Sequence, residues 1–313
     1  MTIGFKNSKL LDKSEFDVLK GTFEMALFED ILLTVDFDRT LTAPNGQIPE
    51  RNMQAIEYFM ANGGTFTMNT GRSVATFWQY LDCIPHNAPF LMYNGSAAYD
   101  NGELSLLRPI DLDVWQVLDT VHNLFPDMNL EVQGTSVHYL VDPQPEMVAL
   151  YENLQWRYAY AQKDVDMAPF IKFSLFGTPK KPEVSTFFDL TPEDAKRFDE
   201  AEKTIAALYP GKVEVFRAAP RIIDVHAKGV SKIAAARALQ ARLGKKTLVC
   251  VGDAENDISM LDGADFAFCP ADGVVADRYE TVCACAEGAV ADVIYKKIPA
   301  ILGINLDIAE EMC

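Results

Sequence analysis

Four short apolar runs, each ending on a polar residue, constrain this chain more than any other feature. Residues 31–35 lead into Asp36, Thr65–Met68 into Asn69 and Thr70, Phe90–Tyr93 into Asn94 and Gly95, and Thr247–Val251 into Gly252 and Asp253. Helical patterns separate them. Residues 49–60, for example, start at Pro49, carry Met53, Ile56 and Met60 on one face, and stop at Gly63 and Gly64. Buried runs alternating with helices predict an α/β fold with a parallel sheet. Ligands of such sheets bind beyond the carboxyl ends of the strands. The expectation is therefore that Asp36, Thr70, Asn94 and Asp253 meet along one edge.

The middle of the chain has a different rhythm. Val114–Phe125 is an amphipathic helix with Val114, Val117, Leu118, Val121 and Phe125 along one stripe. A hairpin over 130–133 and 137–141 turns at Gly134. A helix near 145–158, a strand at 170–176, a helix at 192–208 and strands near 212–217 and 221–226 follow. This is an α+β layer, read as a domain inserted into the first, after which a helix from about 231 to 243 resumes the earlier pattern. A length of 313 residues suits two domains. The expected division is a core of 31–105 and 219–313, an insert of 106–218, and an N-terminal extension of 1–30. A helix over 14–28 would pack on the core or make a homodimer contact.

Charge narrows the partners. With 28 Lys and Arg against 45 Asp and Glu, the net charge is −17, which argues against nucleic acid and anionic membranes as partners. No apolar run approaches the ~18 residues of a membrane span, and the N-terminus shows no secretory signal. A phosphorylated or other anionic small molecule would need a local basic or metal site. Six cysteines without a disulfide framework read as reduced thiols of a cytoplasmic protein. His86, His122, His138 and His226 lack metal spacing, so no zinc site is expected.

Four constellations sit at the predicted strand ends. Asp36 and Asp38, two apart on a strand, share a face, where one can act as nucleophile and the other as general acid and base; a pair of solvated acids in a turn is the plainer reading. Asn69-Thr70-Gly71-Arg72-Ser73 offers a hydroxyl and an unobstructed amide to a phosphate, or simply caps a helix. Lys228-Gly229-Val230-Ser231-Lys232 opens a helix with cations where the macrodipole is positive, which suits a nearby anion or an exposed lysine. Gly252-Asp253-Ala254-Glu255-Asn256-Asp257 places two carboxylates at a strand-to-helix turn, as a magnesium site or an acidic cap. Together the four supply a nucleophile, an acid and base, a phosphate contact, a cation and a metal site, which is what phosphoryl transfer requires.

The segments VDFDRTL, NTGRS, AKGVSK and GDAEND, in that order, resemble the four signature motifs of the haloacid dehalogenase superfamily of phosphatases. MYNGSAAYD at 92–100 and CAEGAVADVI at 285–294 resemble its Cof-type branch, which carries a large α+β cap between the second and third motifs. The resemblance covers roughly 31–300 and implies a Rossmann-like parallel-sheet core with an inserted cap. By it, Asp36 would form an aspartyl-phosphate and Asp38 would protonate the leaving oxygen and then activate water. Thr70 and the Gly71 amide would hold the phosphoryl group. Lys232, rather than Lys228, matches the motif lysine. Mg2+ would be held by Asp36, the Asp38 main-chain carbonyl and Asp253, with Asp257 bound directly or through water. Asn256 would help orient the phosphoryl site, and Asn94 and Arg72 would line the pocket.

Two positions depart from that pattern: Arg39 stands where the branch usually has Gly, and Ile233 replaces a Gly after the lysine. Neither removes a catalytic group, and Arg39 is expected to be solvated. Lys172 and Arg217, on predicted strands of the insert, read as solvated cations or as substrate contacts. The resemblance implies a magnesium-dependent phosphatase of a small phosphorylated metabolite, with sugar phosphates as the default class. A phosphomutase on the same scaffold and a non-catalytic metabolite-binding homologue are the alternatives.

Overall fold

The computed structural model describes residues 26–304 apart from 168, 182, 184–186 and 188. Most of the helix expected over 14–28 lies outside the described residues. The chain enters at β1 (Ile31–Val35), whose five residues are all buried, and returns through α1 (Glu50–Ala61) to β2 (Thr65–Met68). A four-residue helix, Val74–Phe77, is shorter than the pattern over 74–81 suggests. β3 (Phe90–Met92), β4 (Ala97–Asp100) and β5 (Glu103–Leu106) follow.

The insert contains α2 (Val114–Leu124), β6 (Asn129–Gln133), β7 (His138–Val141), α3 (Pro145–Asn153), β8 (Tyr158–Tyr160), β9 (Lys172–Phe176), α4 (Pro192–Leu208), β10 (Val213–Ala219) and β11 (Ile222–Ala227). The chain then regains the first sheet through α5 (Lys232–Leu243), β12 (Thr247–Val251), β13 (Phe266–Pro270) and β14 (Glu280–Val282). Ser231 caps α5 with its hydroxyl, and Gly244 ends it in the left-handed conformation at φ 66°.

The core sheet has the order β14-β13-β12-β1-β2, and every pair is parallel. Its central strands are apolar on both faces because both are covered, which is why they read as unbroken apolar runs. One expectation changes here. β3 is not a strand of this sheet; it heads a separate antiparallel sheet, β3-β4-β5, joined to the core sheet by a bridge between Asn69 and Leu91. Tyr93 and Asn94 adopt left-handed conformations at φ 53° and 55°, which send the chain straight back as β4.

The insert forms a six-stranded sheet of order β10-β11-β9-β6-β7-β8, antiparallel except for β7 with β8. β8 was not visible in the sequence. β11 belongs to this sheet, so the insert runs to Ala227, and a boundary at 218 would cut through β10. Side chains alternate across it. Leu130, Val132, Phe173, Leu175, Ile223 and Val225 pack with Val117, Leu118 and Val121 of α2 and with Phe198, Ala201 and Ile205 of α4. The other face carries Glu131, Gln133, Lys172, Ser174, Asp224 and His226, all buried, and turns toward the strand ends of the core. Among the described residues, no helix is long and apolar enough to cross a membrane.

Candidate active site

Asp36 follows directly on β1, and its amide donates to the Val251 carbonyl of β12 at 2.9 Å. On the other side of β1, the Asn69 amide donates to the Val35 carbonyl at 2.9 Å. The ladder thus continues one residue past the strands and sets Asp36 between the Asn69–Ser73 and Gly252–Asp257 loops.

Lys232, in the first turn of α5, reaches back under this edge. Its Nζ lies 2.6 Å from Asp36 Oδ1 and 2.6 Å from Asp257 Oδ1. Its carbonyl accepts from Asn69 Nδ2 at 2.9 Å, so the second and third motifs are tied together. Asp257 Oδ2 accepts from the amides of Asp253 and Ala254 at 3.0 and 3.1 Å. Gly252 permits that turn, since a Cβ there would stand 2.7 Å from the Asp257 carboxyl carbon. Asp253 Oδ1 accepts from Thr40 Oγ1 at 3.0 Å.

Carboxylate oxygens of Asp36, Asp253 and Asp257 all lie within 4.8 Å of one another. One ammonium cannot neutralise three buried carboxylates. Burial first, and then Asp257, pushes Asp36 well above the usual carboxylate range despite Lys232. Burial and Asp257 likewise push Asp253 up to about 7. Lys232 is held charged: burial opposes its charge, but Asp257 and Asp36 outweigh it. A compact all-oxygen donor set with a deficit of positive charge fits a hard divalent cation. Both Asp257 oxygens already accept hydrogen bonds, so Asp36 and Asp253 are the better placed ligands.

Asp38 does not join that cluster. Its side chain is about half exposed and faces Arg72, whose guanidinium grips both oxygens. Arg72 also stacks over Phe37, 5.0 Å from the ring centre. Thr70 Oγ1 accepts from the Arg72 amide at 3.1 Å, and the Thr70 carbonyl accepts from the Asn94 amide at 2.9 Å. Gly71 is required here, since a Cβ would stand 2.8 Å from Asn94 Oδ1. Asn256 is half-buried and lines the same cavity as Asp253. Arg39 is exposed and left-handed at φ 59°, a conformation that explains why glycine suits this position.

The edge opens into a cavity of about 1310 Å³ lined at one end by Asp36, Asp38, Arg72, Asn94 and Asp253. The polar face of the insert's sheet closes the other end. Lys172 is not solvated: it is buried, with Nζ 2.6 Å from Asp224 and 3.2 Å from the Gly71 carbonyl. Arg217 faces away and pairs with Asp199 and Glu202 of α4. Lys228 pairs with Glu214 at the surface. His138 is hydrogen-bonded to Ser73 Oγ at 2.5 Å and to Tyr151, which also donates to Glu131. Sequence reasoning passed over Glu131, Gln133, His138 and Asp224. The signal was available, because LEVQ, KFSLF and IIDVHA alternate polar and apolar residues, so a polar face had to exist. What that face covers was not readable.

Comparison with known proteins follows the same lines. A family model described as haloacid dehalogenase-like hydrolase matches residues 33–276. An uncharacterized hydrolase of Schizosaccharomyces pombe is 22% identical over 296 residues, covering 91% of this chain and 96% of the relative. A 5-amino-6-(5-phospho-D-ribitylamino)uracil phosphatase of Bacillus subtilis is 22% identical over 240 residues, 74% of this chain and 80% of its own. Among solved structures, a haloacid dehalogenase-like hydrolase from B. subtilis superposes with a TM-score of 0.70 at 18% identity, over 85% of this chain and 99% of that one. The subclass IIB sugar phosphatase BT4131 gives 0.66 at 21% identity, over 88% and 99%.

Proposed function

The chain belongs to the haloacid dehalogenase-like hydrolases, and from that premise we propose a magnesium-dependent phosphatase of a small phosphorylated metabolite, with sugar phosphates as the substrate class. The observation that carries this reading is the placement of Asp36. It sits at the end of the interior strand β1, 2.6 Å from a buried lysine, within reach of Asp253, and open to a cavity it shares with Asp38.

In the proposed reaction an Asp36 oxygen attacks phosphorus in line. The bond from phosphorus to the leaving oxygen breaks, and Asp38 gives that oxygen its proton, leaving an aspartyl-phosphate. Water then attacks the same phosphorus and passes a proton to Asp38. The bond between Asp36 and phosphorus breaks, which releases phosphate and restores the carboxylate. Lys232 offsets negative charge beside Asp36 throughout, and the Thr70 hydroxyl and Gly71 amide would receive phosphoryl oxygens. Asn256 would orient the same group. Mg2+, held by Asp36, the Asp38 carbonyl and Asp253 with Asp257 behind them, would supply positive charge against the phosphoryl oxygens. The free thiols of Cys83, Cys250, Cys269, Cys283 and Cys285 support placing the protein in the reducing cytoplasm.

Phosphate release from p-nitrophenyl phosphate and a panel of sugar phosphates, with magnesium and with chelator, tests the reading. Turnover should require magnesium and vanish in Asp36→Asn. No turnover of any compound by folded protein would overturn it, and recovery of the phosphate on a second sugar hydroxyl would redirect it to a mutase.

A further inference from the structure

The cavity runs beyond the chemistry at Asp36, and its lining changes character on the way. Lys172, Ser174 and Phe176 share one face of β9. Beside them in register stand His226, Asp224 and Ile222 of β11, and Gln133, Glu131 and Asn129 of β6. The Lys172 row lies at the motif loops, with Nζ 3.2 Å from the Gly71 carbonyl. The Phe176 row is further along the strand, about 13 Å away by the rise of a strand. The two nearer rows are polar and spent on one another. Asp224 accepts from Lys172 and Ser174, and Glu131 accepts from Tyr151 and Gln133. None of these six residues is more than 4% exposed, so they offer a ligand little surface.

Past them the accessible wall turns apolar. Leu154 and Trp156, just after α3, and Pro220 and Ile222, where β10 turns into β11, line the cavity and are only half-buried. Leu154, Trp156 and Ile222 rest on a buried cluster that includes Tyr151, Phe176 and Ala219, so the wall is packed from behind. From the core, Val274 lines the same cavity and is 61% exposed. The exposed Asn153, Gln155, Glu183 and Asp189 line it as well, so an occupant meets polar groups beside apolar ones, which suits a ring with polar edges better than an alkyl chain. Apolar surface left wet in a cavity carries a hydration cost that an apolar ligand group removes. The volume of about 1310 Å³ also exceeds the ~300–1,000 Å³ of ordinary small-molecule pockets. A monosaccharide phosphate held at Asp36 would leave the apolar end unfilled.

We infer that this apolar end is a subsite for a flat, largely apolar ring on the leaving group, and that the substrate is a sugar or sugar-alcohol monophosphate carrying such a ring remote from phosphorus. This rests on the phosphatase reading of the Asp36 site and deepens it by naming the substrate class. One cavity is lined by Asp36 and by the apolar wall, so a phosphoryl group held at Asp36 directs what is attached to it toward Leu154, Trp156, Pro220 and Ile222. The sugar portion spans the two polar rows, and the ring covers the apolar surface beyond them.

The test is the ratio of kcat/KM for riboflavin 5′-phosphate to that for D-ribitol 5-phosphate in the wild-type enzyme with magnesium. The two share a phosphorylated ribityl chain and differ in the ring, so the ratio reads the apolar end. The ring should raise kcat/KM on the order of 30-fold. Turnover of p-nitrophenyl phosphate or of any sugar phosphate, with riboflavin 5′-phosphate used no better than ribitol 5-phosphate, would overturn the inference and leave the phosphatase reading intact. An enzyme inert to every compound would overturn both. Trp156→Ser strips ring surface from the wall, and the ratio should fall about ten-fold. An unchanged ratio in the folded variant would also overturn the inference. The wild-type comparison needs no variant to fold.

Discussion

Arg72 holds both carboxylate oxygens of Asp38, with Nη2 2.7 Å from Oδ1 and Nε 2.9 Å from Oδ2. A two-pronged contact fixes the plane of the carboxyl as well as its position. The fork takes one lone pair on each oxygen and leaves the other open to exchange a proton. Arg72 therefore aims the acid that the proposed reaction uses.

If Arg72 acts through Asp38, its loss should matter most where the leaving group needs a proton. Arg72→Ala should lower kcat about 100-fold for an alkyl phosphate and much less for p-nitrophenyl phosphate, whose leaving group departs readily as an anion. Arg72→Lys keeps the charge but not the fork and should fall between them. Steady-state kinetics on the two substrates decide it; equal losses on both would separate Arg72 from proton transfer.

Metal and proton compete for the same carboxylates. Because Asp253 is pushed up to about 7 when no metal is bound, the metal-free fold takes up a proton there that the unfolded chain has released. Its stability should therefore fall as pH rises from about 4 toward 7. Added magnesium should reverse that loss, contributing about 2.7 kcal/mol at a hundred times its dissociation constant. Thermal melts with MgCl2 and with chelator should separate by more at pH 8 than at pH 5.5, and Asp253→Asn should abolish the separation.

His226 works in the opposite direction. Its folded-state pKa lies near 3 against an ordinary 6.5, so below 6.5 the unfolded chain binds a proton that the folded protein refuses. Stability should drop by up to about 1.4 kcal/mol per pH unit as pH falls through that window. In urea unfolding between pH 7 and pH 5, His226→Gln should lack this slope, so the stability difference between wild type and variant should change steadily in the variant's favour as pH falls.

The buried pair of Lys172 and Asp224 should tolerate joint removal better than single removal. Lys172→Met leaves Asp224 charged and unpaired beneath the insert, at a cost of roughly 3–5 kcal/mol. Adding Asp224→Leu should return part of that, although Ser174 loses an acceptor. Chemical denaturation of both variants measures it, and a double variant less stable than the single one would contradict this account.

Much of the active end was legible because the physics behind it is local. An apolar run that stops on Asp36 or Asp253 is visible without any partner, and strands buried on both faces leave little doubt that they are parallel and central. Motif order then placed Lys232 and Thr70. Local pattern also located the insert's helices, although the one expected to run to 158 ends at Asn153, after which a left-handed Gln155 turns the chain toward β8. Pro192–Leu208 begins at a Thr191 cap and ends where its apolar stripe does. Where pairing partners mattered, the pattern was insufficient. Phe90–Met92 has the composition of a core strand, yet the left-handed turn at Tyr93 and Asn94 pairs it with β4 instead.

What the sequence by itself determined is the set of chemical groups and their attachment to strand ends, because strand period and turn chemistry act over a few residues. Tertiary structure alone decided which charges meet. Lys172 looked like a solvated cation because nothing in KFSLF names its partner, and Asp224, fifty-two residues on, arrives only when β11 pairs with β9 in register. The same register sets Gln133 opposite Lys172 on the buried polar face of the sheet. Pairing between distant strands depends on every contact in the sheet at once, so no short stretch of the chain could announce it.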